Sequence, residues 1–185
     1  MALPCTANSL HTLEVQEKLM TISTIDALAR RLDEAEAMEA VSILKARYFR
    51  LMDEKRWDEW EDLFAEDAVM DMRGEAAAMQ QLGMDVGNAD AWLLTSRAAI
   101  RGAVEMALDG VVTVHHGHMP EMKIGSPREI MAVWAMTDVI RYPAGRPIGG
   151  FTGYGHYHDT YALVGESWKI KNIVLRRIAV TPVHR

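Results

Sequence analysis

The pattern of apolar and polar positions divides the chain into two halves with different periods. Met38, Val41, Leu44, Tyr48 and Leu51 recur at steps of three or four, which predicts an amphipathic helix. Glu34, Glu36, Glu39, Lys45 and Arg47 fall mostly on its other faces. A break near residues 53–56 precedes a second short helix with the stripe Trp57, Trp60, Leu63 and Phe64. Residues 65–72 read as an exit turn and a short strand. Thr95 or Ser96 can cap a third helix over residues 97–108, with Gly110 as its stop. From Val111 onward the signals are strands: residues 111–124, 129–142, 151–164 and 168–180, separated by Gly- and Pro-containing turns. Consecutive strands with short turns imply an antiparallel sheet. Helices first and strands afterwards imply an α+β fold with helices on one sheet face.

Other stretches carry weaker patterns. Residues 1–22 lack a sustained period and read as a tail or partner-clasping arm. Ser23 or Thr24, with Asp26, can start a short helix through about Arg31. Gly74, Gly83 and Gly87 punctuate residues 73–94, which read as an insertion covering a pocket or as a mobile loop. The run 130–136 is almost continuously apolar, as in strands covered on both faces. The helices can cover one face and a second subunit the other, so we expect a homo-oligomer, a dimer or a trimer.

Composition narrows the function classes. A chain of 185 residues fits one domain, and 49% apolar residues suffice for a core. The net charge of −6, with no dominant basic patch, argues against a nucleic-acid partner. Cys5 is the single cysteine, so no disulfide forms within the chain and a cytoplasmic location is expected. No apolar run reaches the roughly 20 residues of a membrane span, and no secretory signal pattern opens the chain.

The candidate chemistry is acid–base. Asp53 and His115 can work together if the carboxylate holds one ring nitrogen and leaves the other as a base. His115 and His116 must face opposite sides of their strand. Thr113, His115, Gly117 and Met119 share one face, and Val114, His116 and His118 the other; we take His115 as the inward residue. On an ideal helix Tyr48 and Asp53 lie roughly 140° apart, so they share a pocket only if the helix ends near Asp53. Tyr48 can polarise a substrate oxygen or complete the apolar stripe. Asp138 shares a face with Trp134 and Met136. Arg177 turns inward only if a bulge near residues 172–173 switches the apolar side of the last strand. Tyr157, Asp159 and Tyr161 share a face. His116, His118, His156 and His158 would bind a metal only if their strands were neighbours.

These residues carry a resemblance. The run Arg47-Tyr48-Phe49, then Asp53, Trp57, Leu63-Phe64 and Asp67-Ala68, followed by Gly102 opening a helix and Val114-His115-His116 on a strand, resembles the SnoaL-like branch of the nuclear-transport-factor-2-like superfamily. The resemblance covers about residues 36–181. It leaves an N-terminal tail and short helix over 1–35 and a C-terminal tail over 182–185. It implies a cone-shaped curved sheet wrapped around the N-terminal helices and enclosing an apolar pocket. Within that branch the chain is most similar to scytalone dehydratase and bile-acid 7α-dehydratase type enzymes. Tyr48, Asp53, His115, Asp138 and Arg177 match their catalytic positions, although Arg176 stands before Arg177 where Thr is common. Trp57, Trp134, Met136 and Tyr157 are expected to contact substrate.

The resemblance implies a cofactor-independent, metal-free dehydratase acting on a cyclic, apolar hydroxy-carbonyl compound of steroid, terpenoid or polyketide type. An isomerase or cyclase using the same dyad is the alternative within the enzyme class. A non-catalytic carrier of a hydrophobic small molecule, or an accessory subunit of a larger enzyme, is the alternative outside it.

Overall fold

The structure is a computed structural model that describes residues 7–184, with side chains described for Lys18 and from Met20 onward. Cys5 lies outside the described residues. The elements run α1 (Ala7–Asp53), α2 (Trp57–Glu61), β1 (Phe64–Asp71), α3 (Arg73–Gln81), β2 (Leu93–Leu94), α4 (Arg97–Ala107), β3 (Val112–Ser126), β4 (Glu129–Arg141), β5 (Gly150–Val164) and β6 (Ser167–Val183). A short 3₁₀ turn, Ala89–Trp92, precedes β2. The chain separates into two compact units, Met1–Glu39 and Ala40–Arg185.

In the first unit the helix already begins at Ala7, where the sequence suggested a tail followed by a short helix. Met20, Ile22, Ile25, Leu28 and Leu32 are exposed, so no buried stripe marks residues 20–32.

In the second unit the six strands form one curled, open sheet in the order β2-β1-β6-β5-β4-β3. β3 to β6 pair antiparallel, as expected from their short connections. β1 pairs parallel with β6, so the sheet is mixed. The end of α1 packs in its concavity through Val41, Leu44, Tyr48 and Leu51, the expected stripe. Lys45, Phe49 and Met52 are buried too. The buried arc is wider than the apolar period because the sheet curls around the helix.

Two irregularities aim side chains at the site. In the β5–β6 ladder Thr160 faces Asn172 while Tyr161 faces Ile170, which leaves Lys171 as an extra residue. This bulge moves the buried positions from Ile170 to Ile173 and Leu175, and turns Arg177 inward. It stands beside the expected place and has the expected effect. In the β3–β4 ladder the register shifts between Gly117 and Pro120, which ends the inward run of Val111, Thr113 and His115.

Residues 73–94 hold a helix where the sequence left an insertion or a loop. Ala78 and Met79 of α3 pack with Val111, Ile140 and Phe151. Ser96 caps α4 by accepting the Ala99 N–H, as expected. Gly102 lies inside α4 and does not open it. Among the described residues, no helix is long and apolar enough to cross a membrane.

On β4 the inner positions Ile130, Ala132, Trp134, Met136, Asp138 and Ile140 are buried. Of the alternate positions, Val133, Ala135, Thr137 and Val139 are half-buried, and Glu129, Met131 and Arg141 are exposed. One face of β4 is therefore covered within the chain.

Candidate active site

Asp53 is the last residue of α1, and the way the helix stops fixes its carboxylate. The Arg56 N–H donates to the Leu51 carbonyl at 2.9 Å and the Lys55 N–H to the Met52 carbonyl at 3.2 Å. This is a Schellman-type ending with Lys55 left-handed at φ 59°. A non-glycine residue there costs about 1–2 kcal/mol. The Lys55 ammonium is tied down by donating to Thr113 Oγ1 at 2.9 Å.

The Asp53 carboxylate reaches β3 with both oxygens. Oδ1 lies 2.6 Å from His115 Nδ1 and accepts the Thr113 hydroxyl at 2.7 Å. Oδ2 accepts the His115 backbone N–H at 2.8 Å. The His115 side chain is 7% exposed and that of Asp53 22%. Burial pushes the Asp53 pKa up, but the His115 and Thr113 hydrogen bonds and the His115 charge outweigh it and hold the carboxyl below its ordinary value. A carboxylate on Nδ1 favours the tautomer with Nδ1–H, which leaves Nε2 as a proton acceptor.

A cleft of about 470 Å³ opens beside this pair, lined by Lys45, Phe49, Asp53, His115, Gly117 and Trp134 among others. The Phe49 ring lies parallel to the His115 ring, with centroids 6.3 Å apart. It fits against β3 only because residue 117 is glycine, since a Cβ there would overlap the ring.

The other candidates fall into three places. Asp138 is buried on β4 directly opposite His115 on β3. Arg177 Nη1 and Nη2 donate to its Oδ1 and Oδ2 at 2.9 and 2.5 Å, and Arg177 Nε donates to Glu75 of α3. Met136 Sδ sits 3.6 Å from Arg177 Nη1. Tyr48 and Tyr157 are buried together, with ring centroids 6.2 Å apart. Burial and the Asp159 charge push the Tyr48 pKa up. Tyr48 does not line the cleft that holds His115. Trp57 stands apart, half-buried and edge-on to Trp60. The helix ends at Asp53, but Tyr48 still points to the aromatic interior and Asp53 to β3.

Two buried charged residues, Lys45 and Glu75, escaped the reading of the sequence. Lys45 and Asp159 are each 0% exposed, with Nζ and Oδ2 2.7 Å apart. The distance is that of an ion pair, yet Nζ is poorly aligned as a hydrogen-bond donor and Asp159 Oδ1 has no partner. The ammonium is held on its other sides by aromatic faces, with Nζ 3.9 Å from the Tyr157 ring centroid and 4.3 Å from that of Tyr48. Tyr161 donates to Asp159 Oδ2 at 2.7 Å, and Trp134 Nε1 to the Tyr161 hydroxyl at 3.1 Å. Glu75 is the second missed residue, an acid on a helix that carries no strong apolar period.

The metal alternative does not hold. β4 separates the His116/His118 strand from the His156/His158 strand. Among the described residues, no group of three or more His, Cys, Asp or Glu could hold an ion.

Gly153 lies on β5 opposite Asp138, and a Cβ there would overlap both Arg177 Nη1 and Asp138 Oδ1. Gly153→Ala should therefore lower stability by about 1–3 kcal/mol, read from urea unfolding. Wild-type stability at that position would show that the Arg177–Asp138 fork is not tightly packed.

Residues 33–174 match the sequence pattern of the SnoaL-like domain. The chain belongs to the SnoaL-like family. Among curated SnoaL-like relatives, the candidate cyclase FGR4 of Gibberella zeae is 27% identical over 77% of this chain and 92% of its own. A candidate scytalone dehydratase from Novosphingobium aromaticivorans superposes with a TM-score of 0.65 at 23% identity, covering 83% of this chain and 91% of that one. The hexachlorocyclohexane dehydrochlorinase LinA-type3 from Novosphingobium barchaimii superposes with a TM-score of 0.64 at 13% identity, covering 83% and 97%. The two structures establish the SnoaL-like cone as the fold. The relatives carry names of the lyase and cyclase type.

Asp53 and Glu75 make opposed contributions to the pH dependence of stability. Asp53 has a folded-state pKa below 3.8, so on acidification the unfolded chain takes up this proton first. Its contribution is present above the unfolded value and is lost as pH falls through the folded one. Burial raises the Glu75 pKa above 4.5 against the opposing Arg177 charge. Its folded form keeps the proton longer, so its contribution falls as pH rises from 4.5 through the folded value. Asp53→Asn should flatten the acid limb of a stability curve measured by urea titration below pH 4. An unchanged limb would show that Asp53 is not held ionised by the fold.

Proposed function

We propose that this protein is a cofactor-independent lyase that removes water from a cyclic, largely apolar hydroxy-carbonyl compound. The observation that carries this reading is the 2.6 Å contact between Asp53 Oδ1 and His115 Nδ1 on the wall of a cleft. His115 Nε2 takes the proton from the carbon next to the carbonyl, and the C–H electron pair moves into an enolate. The enolate reforms the carbonyl as the C–O bond to the hydroxyl breaks, and the imidazolium returns its proton so that water leaves. Asp53 stabilises the imidazolium between these steps. Trp134 and Phe49 supply an apolar wall for the ring.

We assign no contact with the reacting atoms to Tyr48, which is enclosed by aromatic rings behind the cleft. Assembly into a homo-oligomer that covers the outer face of β4 is part of the proposal.

A cyclase or isomerase is the second reading, favoured by the FGR4 relative. It uses the same proton abstraction and loses no water. A mass-spectrometric screen of wild type and His115→Ala against cyclic hydroxy-ketones separates the two. A product lighter by one water, formed only by wild type, supports the lyase. A mass-neutral product with the same dependence supports the cyclase. Binding without conversion of any bound compound would leave a carrier.

A further inference from the structure

Glu75 is a buried carboxylate on a helix, outside the His115–Asp53 pair, that reaches across to the inner face of the sheet. It meets Arg177 Nε, while both Nη groups of Arg177 hold Asp138. The guanidinium lies 5.6 Å over the Phe151 ring. The fork is thus gripped on two edges by carboxylates from two different elements, α3 and β4, and on one face by an aromatic ring. Asp138 stands opposite His115 in the β3–β4 ladder. Directly opposite residues of an antiparallel pair share a face, with Cβ atoms about 4.5–5.5 Å apart.

We propose that Glu75 is a positioning residue of this site: from α3 it anchors Arg177, which in turn holds both oxygens of Asp138 away from the His115 imidazole. The proposal rests on the reading of His115 as the base. The need for such a clamp follows from the charges. His115 has a carboxylate on each side, Asp53 and Asp138. Asp53 takes Nδ1–H. An unrestrained Asp138 could rotate and pair with Nε2–H, and a base whose second nitrogen is captured cannot take a proton from substrate.

Arg177 prevents this only while its plane is fixed. A single bidentate pair can swing as a unit about the two side chains. A second anchor on Nε removes that freedom. Glu75 contacts Arg177 of β6, and the charged and titratable groups within its electrostatic reach are His115 of β3, Asp138 and Tyr142 of β4 and Tyr157 of β5. Burial raises the Glu75 pKa and Arg177 opposes it, so the two groups depend on each other.

The backbone is shaped for the same contact. Gly74 lets α3 approach β6 so closely that a Cβ would stand 2.6 Å from the Leu175 carbonyl oxygen. Gly74→Ala must move α3 outward and withdraw Glu75 while leaving every charge in place.

The test compares Glu75→Ala, Glu75→Gln and Gly74→Ala with wild type. In the two alanine variants kcat should fall roughly tenfold to a hundredfold, as expected for lost orientation, with KM within about twofold. The acid limb of the pH–rate profile should move up by about one pH unit, because Asp138 is now free to stabilise the imidazolium. Loss of the Glu75 charge alone would move the limb down, and a merely structural role would leave it in place. Glu75→Gln, which keeps an oxygen acceptor for Arg177 Nε–H, should lie between wild type and Glu75→Ala; it supplies the reading if the alanine variant does not fold. A substrate-free arm follows the ¹⁵N-histidine ring signals of His115 in the same variants. An upward shift of its titration supports the clamp even if no turnover is found, which would count against the lyase alone. An unchanged or downward shift in folded variants overturns the clamp.

Discussion

Turnover should fall about 10²- to 10⁴-fold when His115 is replaced by alanine, the usual contribution of a positioned acid–base group. The loss should appear in kcat, because the cleft wall of Phe49 and Trp134 remains to bind the ring. Asp53→Asn should cost nearly as much without removing the base. An asparagine whose oxygen accepts the His115 backbone N–H places its NH₂ where Oδ1 stood, so that it donates to Nδ1 and no longer accepts the Thr113 hydroxyl. That would place the ring proton on Nε2, where the lone pair is needed. Product formation followed by mass spectrometry reads both variants. Full activity of His115→Ala would remove the dyad from the mechanism.

The second large effect is on stability. Lys45→Ala leaves the Asp159 charge buried without its cation, since both side chains are 0% exposed. Removing one partner of such a pair typically costs about 3–5 kcal/mol. At about 2–4 °C per kcal/mol for a chain of this size, Tm should fall by roughly 10 °C. Combining Lys45→Met with Asp159→Asn should recover most of the loss. Both charges are then gone, the methionine fills the space between the Tyr48 and Tyr157 rings, and the asparagine oxygen still accepts from Tyr161. Thermal unfolding of Lys45→Met, Asp159→Asn and the double measures the coupling. Simple additivity would show that the two groups do not form a pair in solution.

The contrast between these two sites explains how much was legible in the sequence. Val41, Leu44, Tyr48 and Leu51 announce themselves by period, because a helix packed on a sheet buries a stripe. The β6 pattern announces its bulge, because the apolar side cannot change otherwise. Lys45 carries no such mark. A lysine in a helix reads as solvated, and its burial is made tolerable by Asp159 on β5 and the aromatic rings around it. Glu75 is hidden for the same reason, since its partner Arg177 lies on β6. Local pattern reports what a residue does to its own element and is silent on a partner across the fold. The first part of α1 was missed from the opposite cause: between residues 20 and 32 Met20, Ile22, Ile25, Leu28 and Leu32 stay exposed, so no buried stripe sets the period. The parallel β1–β6 pairing has no local signature either.

The SnoaL-like pattern places Asp53 and His115, but the third partner of the pair is the backbone. Among the described residues β3 is the last strand of the sheet and pairs only with β4. Amides on the free side of such a strand normally face water. The His115 N–H instead donates to Asp53 Oδ2, at 2.8 Å and across 62 residues of sequence. One carboxylate therefore serves both as partner to the base and as a stand-in for the missing neighbouring strand. The His115 amide becomes a native reporter: its hydrogen–deuterium exchange should slow while the dyad is assembled and accelerate whenever Asp53 lets go. That gives a readout of dyad assembly that needs no substrate.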